Sequence, residues 1–460
     1  MNPRILSHST YLALFTLAGL VYVLGLFVPL MDNDSAHHAN IALRMYLTGD
    51  YVNLIDAGKD YLDKPHLHFW LSAFSYKLFG VTGFAYKLPS FLFSIAGIYA
   101  TFSLGRTLYN TETGKLAALI LTSAFAFILA NNDVRMDAIL TAGIIIATWQ
   151  LVGWVNTKRF AYVLGAAFGL AIGFCTKGHI AVVTPAISTL FYIVYKKDWK
   201  SLYHWQLLPL LFFFFLFISP VVYCYYLQYD IHPEKIVRGK NNISGVKFIL
   251  WQQNFERFQG DNFGADAKND RLFFIHSFLW AFAPWSFVGF VAFATRLKAF
   301  ATRQYEWLTI GTFACITILI SLSGFKLPHY LNIIFPISSI LTASYLYNNL
   351  KNPKILKRLL VLQAIVCCLL LIAAGLVNVW AFPAHSLLVI MGFFVIVVFG
   401  YFLFKTARAP IARIVIASAF TSLLLFYLLN SNFYPRLLKY QAGNEMAAIV
   451  NNTIGGENIF

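Results

Sequence analysis

Two carboxylates, Asp34 and Asp137, and three isolated lysines, Lys64, Lys177 and Lys326, are the residues of this 460-residue chain best suited to chemistry at a membrane edge. A carboxylate can take the proton of an attacking hydroxyl, and a lysine near it can hold a phosphate as it leaves. Asp34 closes an Asp-x-Asp pair in Met31-Asp32-Asn33-Asp34-Ser35, directly after the first long apolar run, where partial desolvation would make it a better base. The same spacing also suits a solvated loop that caps the following helix. Asp137, in Asn132-Asp133-Val134-Arg135-Met136-Asp137, opens another apolar run after a short turn. It reads either as a second acid of the same vestibule or as the ion-pair partner of Arg135.

Lys64 follows Tyr61 in Tyr61-Leu62-Asp63-Lys64-Pro65, just ahead of an amphipathic stretch. Unpaired N–H groups at a helix start favour an anion, so a phosphate site and a contact to lipid headgroups are both open readings. Lys177, in Cys175-Thr176-Lys177-Gly178, and Lys326, in Phe325-Lys326-Leu327-Pro328-His329-Tyr330, are nearly lone charges in short turns. Each is a second phosphate contact or a snorkelling side chain. His37, His38, His66 and His68 gather in sequence beside Asp63, but histidines one or two apart leave a helix in different directions, so a divalent metal is not favoured and no cofactor is expected. No Walker loop and no Gly-x-Ser-x-Gly occurs, which leaves ATP-driven transport and esterase chemistry without a motif.

The elements that must position these residues are membrane spans. With 59% hydrophobic and 12% charged residues and a mean hydropathy of +0.66, the chain cannot present a soluble surface, and an all-α integral membrane fold is expected. Apolar runs at roughly 11–30, 84–109, 116–130, 139–155, 162–174, 180–195, 207–227, 272–294, 308–323, 331–347, 359–380, 387–404 and 411–429 predict about 13 transmembrane helices. The first run is read as an uncleaved span. With a cytoplasmic N-terminus, the inner loops hold about 18 basic and three acidic residues, and the outer side about 17 and 16. Nearly all of the +16 net charge is then cytoplasmic, so it reports topology and calls for no nucleic-acid partner. The five cysteines lie in or beside apolar runs without metal spacing, as small buried hydrophobes do.

All the candidate residues then fall on the outer side, where the segments 31–83 and 228–271 are long enough to need a task. Ala36 to Leu47 predicts one helix. Leu67, Trp70, Leu71, Phe74 and Leu78, opposite His68, Ser72, Ser75 and Lys77, predict a second lying in the interface, with Pro65 in its first turn and Asp63 as its N-cap. Residues 1–430 read as the transmembrane domain. Residues 431–460, with an amphipathic piece at Glu445 to Val450 and then Gly455-Gly456, read as the start of a short or truncated outer region.

Taken in order, these stations resemble the integral-membrane GT-C glycosyltransferases that use polyprenyl-phosphate sugars, being similar to the bacterial lipid A aminoarabinose transferases and the protein mannosyltransferases. The stations are Asp34, Gly49-Asp50-Tyr51, Tyr61 to Pro65 with Phe69-Trp70 and Leu78-Phe79-Gly80, Asp137 and Thr176-Lys177-Gly178. Further on come Arg257-Phe258 with Asp261-Asn262, Pro284-Trp285, and Lys326-Leu327-Pro328 with Tyr330. The resemblance implies Asp34 as the catalytic carboxylate, Asp137 as a second active-site acid, Lys64 and Tyr61 at the donor phosphate, and Lys177, Lys326 and Tyr330 lining the same vestibule. It implies an inverting sugar transfer from a polyprenyl-phosphate donor to a lipid A-like or protein acceptor, at the periplasmic face of a bacterial inner membrane. Two departures stand out. His37-His38 occupies a position where the aminoarabinose enzymes carry Arg-Tyr, and histidines of the second long loop in some members are missing around Asp266 to Arg271. The other function classes that fit the span count are a lipid or small-solute transporter or flippase, which would place charges near mid-membrane, and a sugar-polymer ligase.

Overall fold

The computed structural model describes residues 3–253 and 270–441 and is an all-α bundle. Its first ten helices are α1 (His8–Leu26), α2 (Asn33–Thr48), α3 (Leu67–Phe79), α4 (Gly83–Leu108), α5 (Thr111–Thr122), α6 (Phe125–Asn132), α7 (Asp137–Thr157), α8 (Phe160–Lys177), α9 (Ile180–Lys196) and α10 (Leu207–Tyr225). Phe273–Ala281, Ser286–Lys298, Leu308–Ser321, Phe335–Asn348, Pro353–Gly375, Leu387–Thr406 and Pro410–Leu428 follow.

Among the described residues nine helices are long and apolar enough to cross a membrane, and ten if α5 and α6, bent by 55° at their junction, make one span. The remaining three of the thirteen apolar runs are short or interrupted. α9 and Leu308–Ser321 have 17 and 14 residues, and the run at 272–294 is split around Pro284 into two shorter helices. Leu387–Thr406 buries only Gly400 and turns its large apolar side chains outward, as a lipid-facing span must. Residues 431–440 continue the last helical stretch, Pro410–Tyr440. The stations Arg257-Phe258 and Asp261-Asn262, the stretch from Asp266 before residue 270, and the pieces Glu445 to Val450 and Gly455-Gly456 lie outside the described residues.

The centre of the bundle is α7, which packs against α4, α8 and α9. Its contact with α8 is backbone to backbone. A Cβ at Gly143 would stand 2.7 Å from the Gly173 nitrogen, and one at Gly169 2.7 Å from the Ala147 nitrogen. Gly169 and Gly173, four apart on α8, are the small-residue pattern that lets two spans touch without a hydrophobic driving force. That approach brings the start of α7, with Asp137, beside the end of α8, with Lys177.

Between the first two spans, α2 and α3 lie at one end of the bundle. α2 starts earlier than the expected Ala36. Its N-cap is Asp32, whose N–H donates to Ser35 Oγ at 3.3 Å, so Asp34 stands in the first turn and is not the cap. α3 starts after His66, not at Asp63, which pairs with Lys64 instead. The amphipathic pattern of α3 is real but its polar side faces inward: His68, Ser72 and Ser75 are buried while Phe74 and Leu78 are exposed. A helix at a membrane edge gives its apolar side to lipid and its polar side to the protein. A small hairpin that the helical reading omitted joins α2 to α3, Ile55–Asp56 pairing with Lys59–Asp60. Its signal is Ala57-Gly58, both at positive φ (46° and 77°), as a two-residue turn between strands requires.

Candidate active site

The end of the bundle that carries α2 and α3 collects the predicted residues. Lys177 Nζ meets Asp137 Oδ1 at 2.6 Å, and both side chains are buried. Each also stands at the favourable end of its helix dipole, the acid at the start of α7 and the lysine at the end of α8. Lys177, rather than Arg135, is thus the ion-pair partner of Asp137, and the lysine does not snorkel. Its ammonium lies 5.6 Å from the centre of the Tyr330 ring, which stacks on Phe274. Lys326 is buried in the same turn, and its charge acts on Asp270.

Lys64 pairs with Asp63 at 3.1 Å, and its charge acts on both His38 of α2 and His329 beside Tyr330. Its charge is therefore felt on both α2 and the Pro328–Ile334 turn. The Tyr61 hydroxyl faces His38 Nε2 at 3.4 Å, with its ring edge-on to His37. Asp34, one turn before His38 on α2, is exposed, and among the described residues its carboxylate makes no ion pair or hydrogen bond. The burial expected of a desolvated acid falls on Asp137 instead.

The four histidines take different partners, although the His38 ring lies 5.6 Å from that of His37 and 6.1 Å from that of His68. His37 pairs with Asp56 at 3.0 Å, His66 Nε2 reaches the Val52 carbonyl at 2.8 Å, and His68 Nε2 reaches the Tyr86 hydroxyl at 3.1 Å. Among the described residues no three His, Cys, Asp or Glu side chains converge on one point. Burial pushes His66 down to about 4 and His68 to about 3, so both are neutral near pH 7. Burial also holds His38 well below the ordinary histidine value, with His68 and Lys64 pushing the same way.

Several residues of this end were not singled out in the sequence. Tyr225, the last residue of α10, and Tyr229, in the helical turn Tyr226–Asp230 that follows it, donate to the carbonyls of Lys64 (3.2 Å) and Tyr61 (3.1 Å). Gln228 between them holds Leu54 on both sides at 2.9 Å, and Arg238 donates to the Leu62 carbonyl. The loop that carries Lys64 is thereby laced to the segment that follows α10. A tyrosine pair at the end of an apolar run looks like an ordinary interfacial belt, so the sequence offered no distinguishing signal. Arg135 and His329 also line a cavity of about 190 Å³ together with Asp133, Asp137, Asn332 and Trp280. Its floor on α6, Ala126, Leu129 and Ala130, is apolar, so the space suits an amphiphile with its polar end toward Asp137.

Residues 63–224 match the family model described as dolichyl-phosphate-mannose-protein mannosyltransferase. The undecaprenyl phosphate-alpha-4-amino-4-deoxy-L-arabinose arabinosyl transferase of Pseudomonas aeruginosa (strain UCBPP-PA14) is 25% identical over 346 residues, covering 70% of this chain and 57% of the relative. A second enzyme of that description, from Sodalis glossinidius, is 27% identical over 347 residues, covering 73% and 59%. The chain thus spans under two thirds of the length of these relatives. The crystal structure of ArnT from Cupriavidus metallidurans bound to undecaprenyl phosphate superposes with a TM-score of 0.77 at 18% identity, covering 97% of this chain and 81% of that one. The chain is a multi-pass membrane protein with the GT-C glycosyltransferase fold, and it resembles the bacterial aminoarabinose transferases in both sequence and architecture.

Proposed function

We propose that this protein transfers a sugar from a polyprenyl-phosphate donor to a hydroxyl of a glycolipid or protein acceptor at the extracytoplasmic face of a bacterial inner membrane. The observation that carries the reading is the contrast between two acids at one end of the bundle: Asp34 exposed and, among the described residues, without an ion pair or hydrogen bond, Asp137 buried and neutralised by Lys177. Asp34 takes the acceptor proton as the acceptor oxygen bonds to the anomeric carbon. The bond from that carbon to the phosphate oxygen breaks, and the polyprenyl phosphate leaves with the electron pair. Attack opposite the leaving group inverts the anomeric centre.

Lys64 receives the developing phosphate charge, with Lys177 and Lys326 adding positive potential from the Tyr330 side. Tyr61 steadies the phosphate, and Asp137 keeps Lys177 in place. A polyprenyl tail is all hydrocarbon and needs no polar partner, and the cavity floor at Ala126, Leu129 and Ala130 is apolar. The similarity to enzymes described as undecaprenyl-phosphate aminoarabinose transferases supports a donor of that class, while His37-His38, where the resemblance implies Arg-Tyr, weakens the claim to their acceptor. Incubating the purified chain with undecaprenyl-phosphate aminoarabinose and a membrane glycolipid extract tests the reading. Release of undecaprenyl phosphate with a sugar-mass gain on an acceptor supports it, and binding without release in every donor tried refutes it. Comparing glycolipids and glycoproteins by mass spectrometry with and without the chain in cells then names the sugar and the acceptor.

A further inference from the structure

We infer that Arg135 is a positioning residue whose guanidinium locks the two acid-bearing helix starts, α2 with Asp34 and α7 with Asp137, into one fixed arrangement. The inference rests on the proposed function for what that arrangement is used for.

The geometry is a two-sided clamp. Arg135 Nη2 meets Asp32 Oδ2 at 2.7 Å and Asp133 Oδ2 at 2.6 Å, and Nε adds a second bond to Asp133 at 2.9 Å. Asp32 is the N-cap of α2 and Asp133 follows the last residue of α6, so one cation joins segments about a hundred positions apart. The clamp is doubled from the other side, because Ser35 Oγ, fully buried in the first turn of α2, reaches Asp133 Oδ1 at 2.7 Å. Asp133 thus uses one oxygen for the arginine and the other for the serine that follows Asp34.

The remaining surroundings fit the same role. His329 Nδ1 lies 3.4 Å from Arg135 Nη1, and the Asp137 charge acts on the guanidinium as well. Burial works against the arginine's charge, but Asp133 and Asp32 outweigh it and hold its pKa above the usual value. A fork with several fixed donors can serve two carboxylates at once, which a lysine's single ammonium cannot do with the same geometry. Met136, between Arg135 and Asp137, is in the left-handed region (φ 75°), uncommon outside glycine, so the turn that presents both residues is itself unusual and gains from being pinned.

Arg135→Ala, Arg135→Lys and Ser35→Ala in the full chain test this with three readouts: turnover of undecaprenyl-phosphate aminoarabinose, binding of undecaprenyl phosphate alone, and hydrogen exchange of the amides at Ser35 to Ala39. Misplacing a reacting group by about 1 Å costs on the order of 10²-fold in rate. Arg135→Ala is expected to lower kcat by about that factor, to leave KM for the donor and affinity for undecaprenyl phosphate within about threefold, and to speed exchange at the start of α2. Arg135→Lys should recover part of the rate, and Ser35→Ala should reproduce a smaller form of the defect if Arg135→Ala does not fold. Unchanged kcat and exchange in Arg135→Ala would overturn the clamp. So would an affinity loss as large as the rate loss, which would make Arg135 a phosphate ligand, or full rescue by lysine. If the wild-type chain turns over no donor, the proposed function fails, while the exchange experiment still decides the clamp.

Discussion

Replacing Asp34 and Asp137 by asparagine should remove similar free energies from two different quantities. Asp137 and Lys177 lie 2.6 Å apart, where unit charges attract by ~6 kcal/mol at an effective dielectric of about 20. Desolvating both groups offsets most of that gain, so the intact pair adds little net stability, yet removing one partner strands the other and costs roughly 3–5 kcal/mol. Asp137→Asn is therefore expected to lower the thermal midpoint sharply, and Asp137→Asn with Lys177→Met to recover much of it. Asp34 is exposed and unengaged among the described residues, so Asp34→Asn should leave the midpoint unchanged. Its loss as a base should lower kcat by about 10²–10⁴, or roughly 3–5 kcal/mol of barrier. Turnover of undecaprenyl-phosphate aminoarabinose and melting in the same detergent measure both effects on one preparation. Wild-type turnover in a folded Asp34→Asn chain refutes the base assignment, and a wild-type midpoint in both single variants at Asp137 and Lys177 refutes the buried pair.

Lys64→Met should weaken binding of undecaprenyl phosphate by about 10–100-fold, the worth of a charge-assisted hydrogen bond of ~1.5–3 kcal/mol, while Lys64→Arg keeps most of it; equal affinity for all three chains in a titration would remove Lys64 from the phosphate. Gly143→Ala would press a methyl onto the Gly173 backbone at 2.7 Å, costing about 1–3 kcal/mol and loosening the Asp137–Lys177 contact. Gly19→Ala, with open space around it inside α1, is the control without overpacking in the same melting series and should not lower the midpoint. Burial lowers His66 to about 4, against the Val52 hydrogen bond and the Asp50 charge, which favour its protonation. Between that value and about 6.5 the unfolded chain binds the proton more readily, so stability is full above about 6.5 and falls by up to about 3 kcal/mol as pH drops toward 4. His66→Gln should flatten that part of the profile of melting against pH, and an unchanged slope would count against His66 as its source.

The end of the bundle on which the site stands was legible because hydropathy and charge bias are one-dimensional signals. Apolar runs alternate sides, and that alternation alone sends Asp34, Lys64, Asp137, Lys177 and Lys326 to a common end. The amphipathic pattern of α3 was legible for the same reason, although which face meets protein was not. A span buried among other helices and one bathed in lipid are equally apolar, so periodicity cannot orient them. Three of the thirteen apolar runs do not form helices of spanning length among the described residues, because Pro284 splits one and α9 and Leu308–Ser321 are short.

The amino-acid sequence by itself determined that this is an all-helical membrane protein with acids and lysines at one end, because solvent chooses which segments can enter hydrocarbon and that choice depends only on local composition. Tertiary structure alone decided that Lys177 rather than Arg135 neutralises Asp137, that Arg135 instead joins Asp32 to Asp133, and that Asp34 is left exposed. Ion pairing depends on distances of a few ångströms between residues tens to a hundred positions apart. Those distances are set by how closely the glycines of α7 and α8 let two backbones approach, which no single segment records.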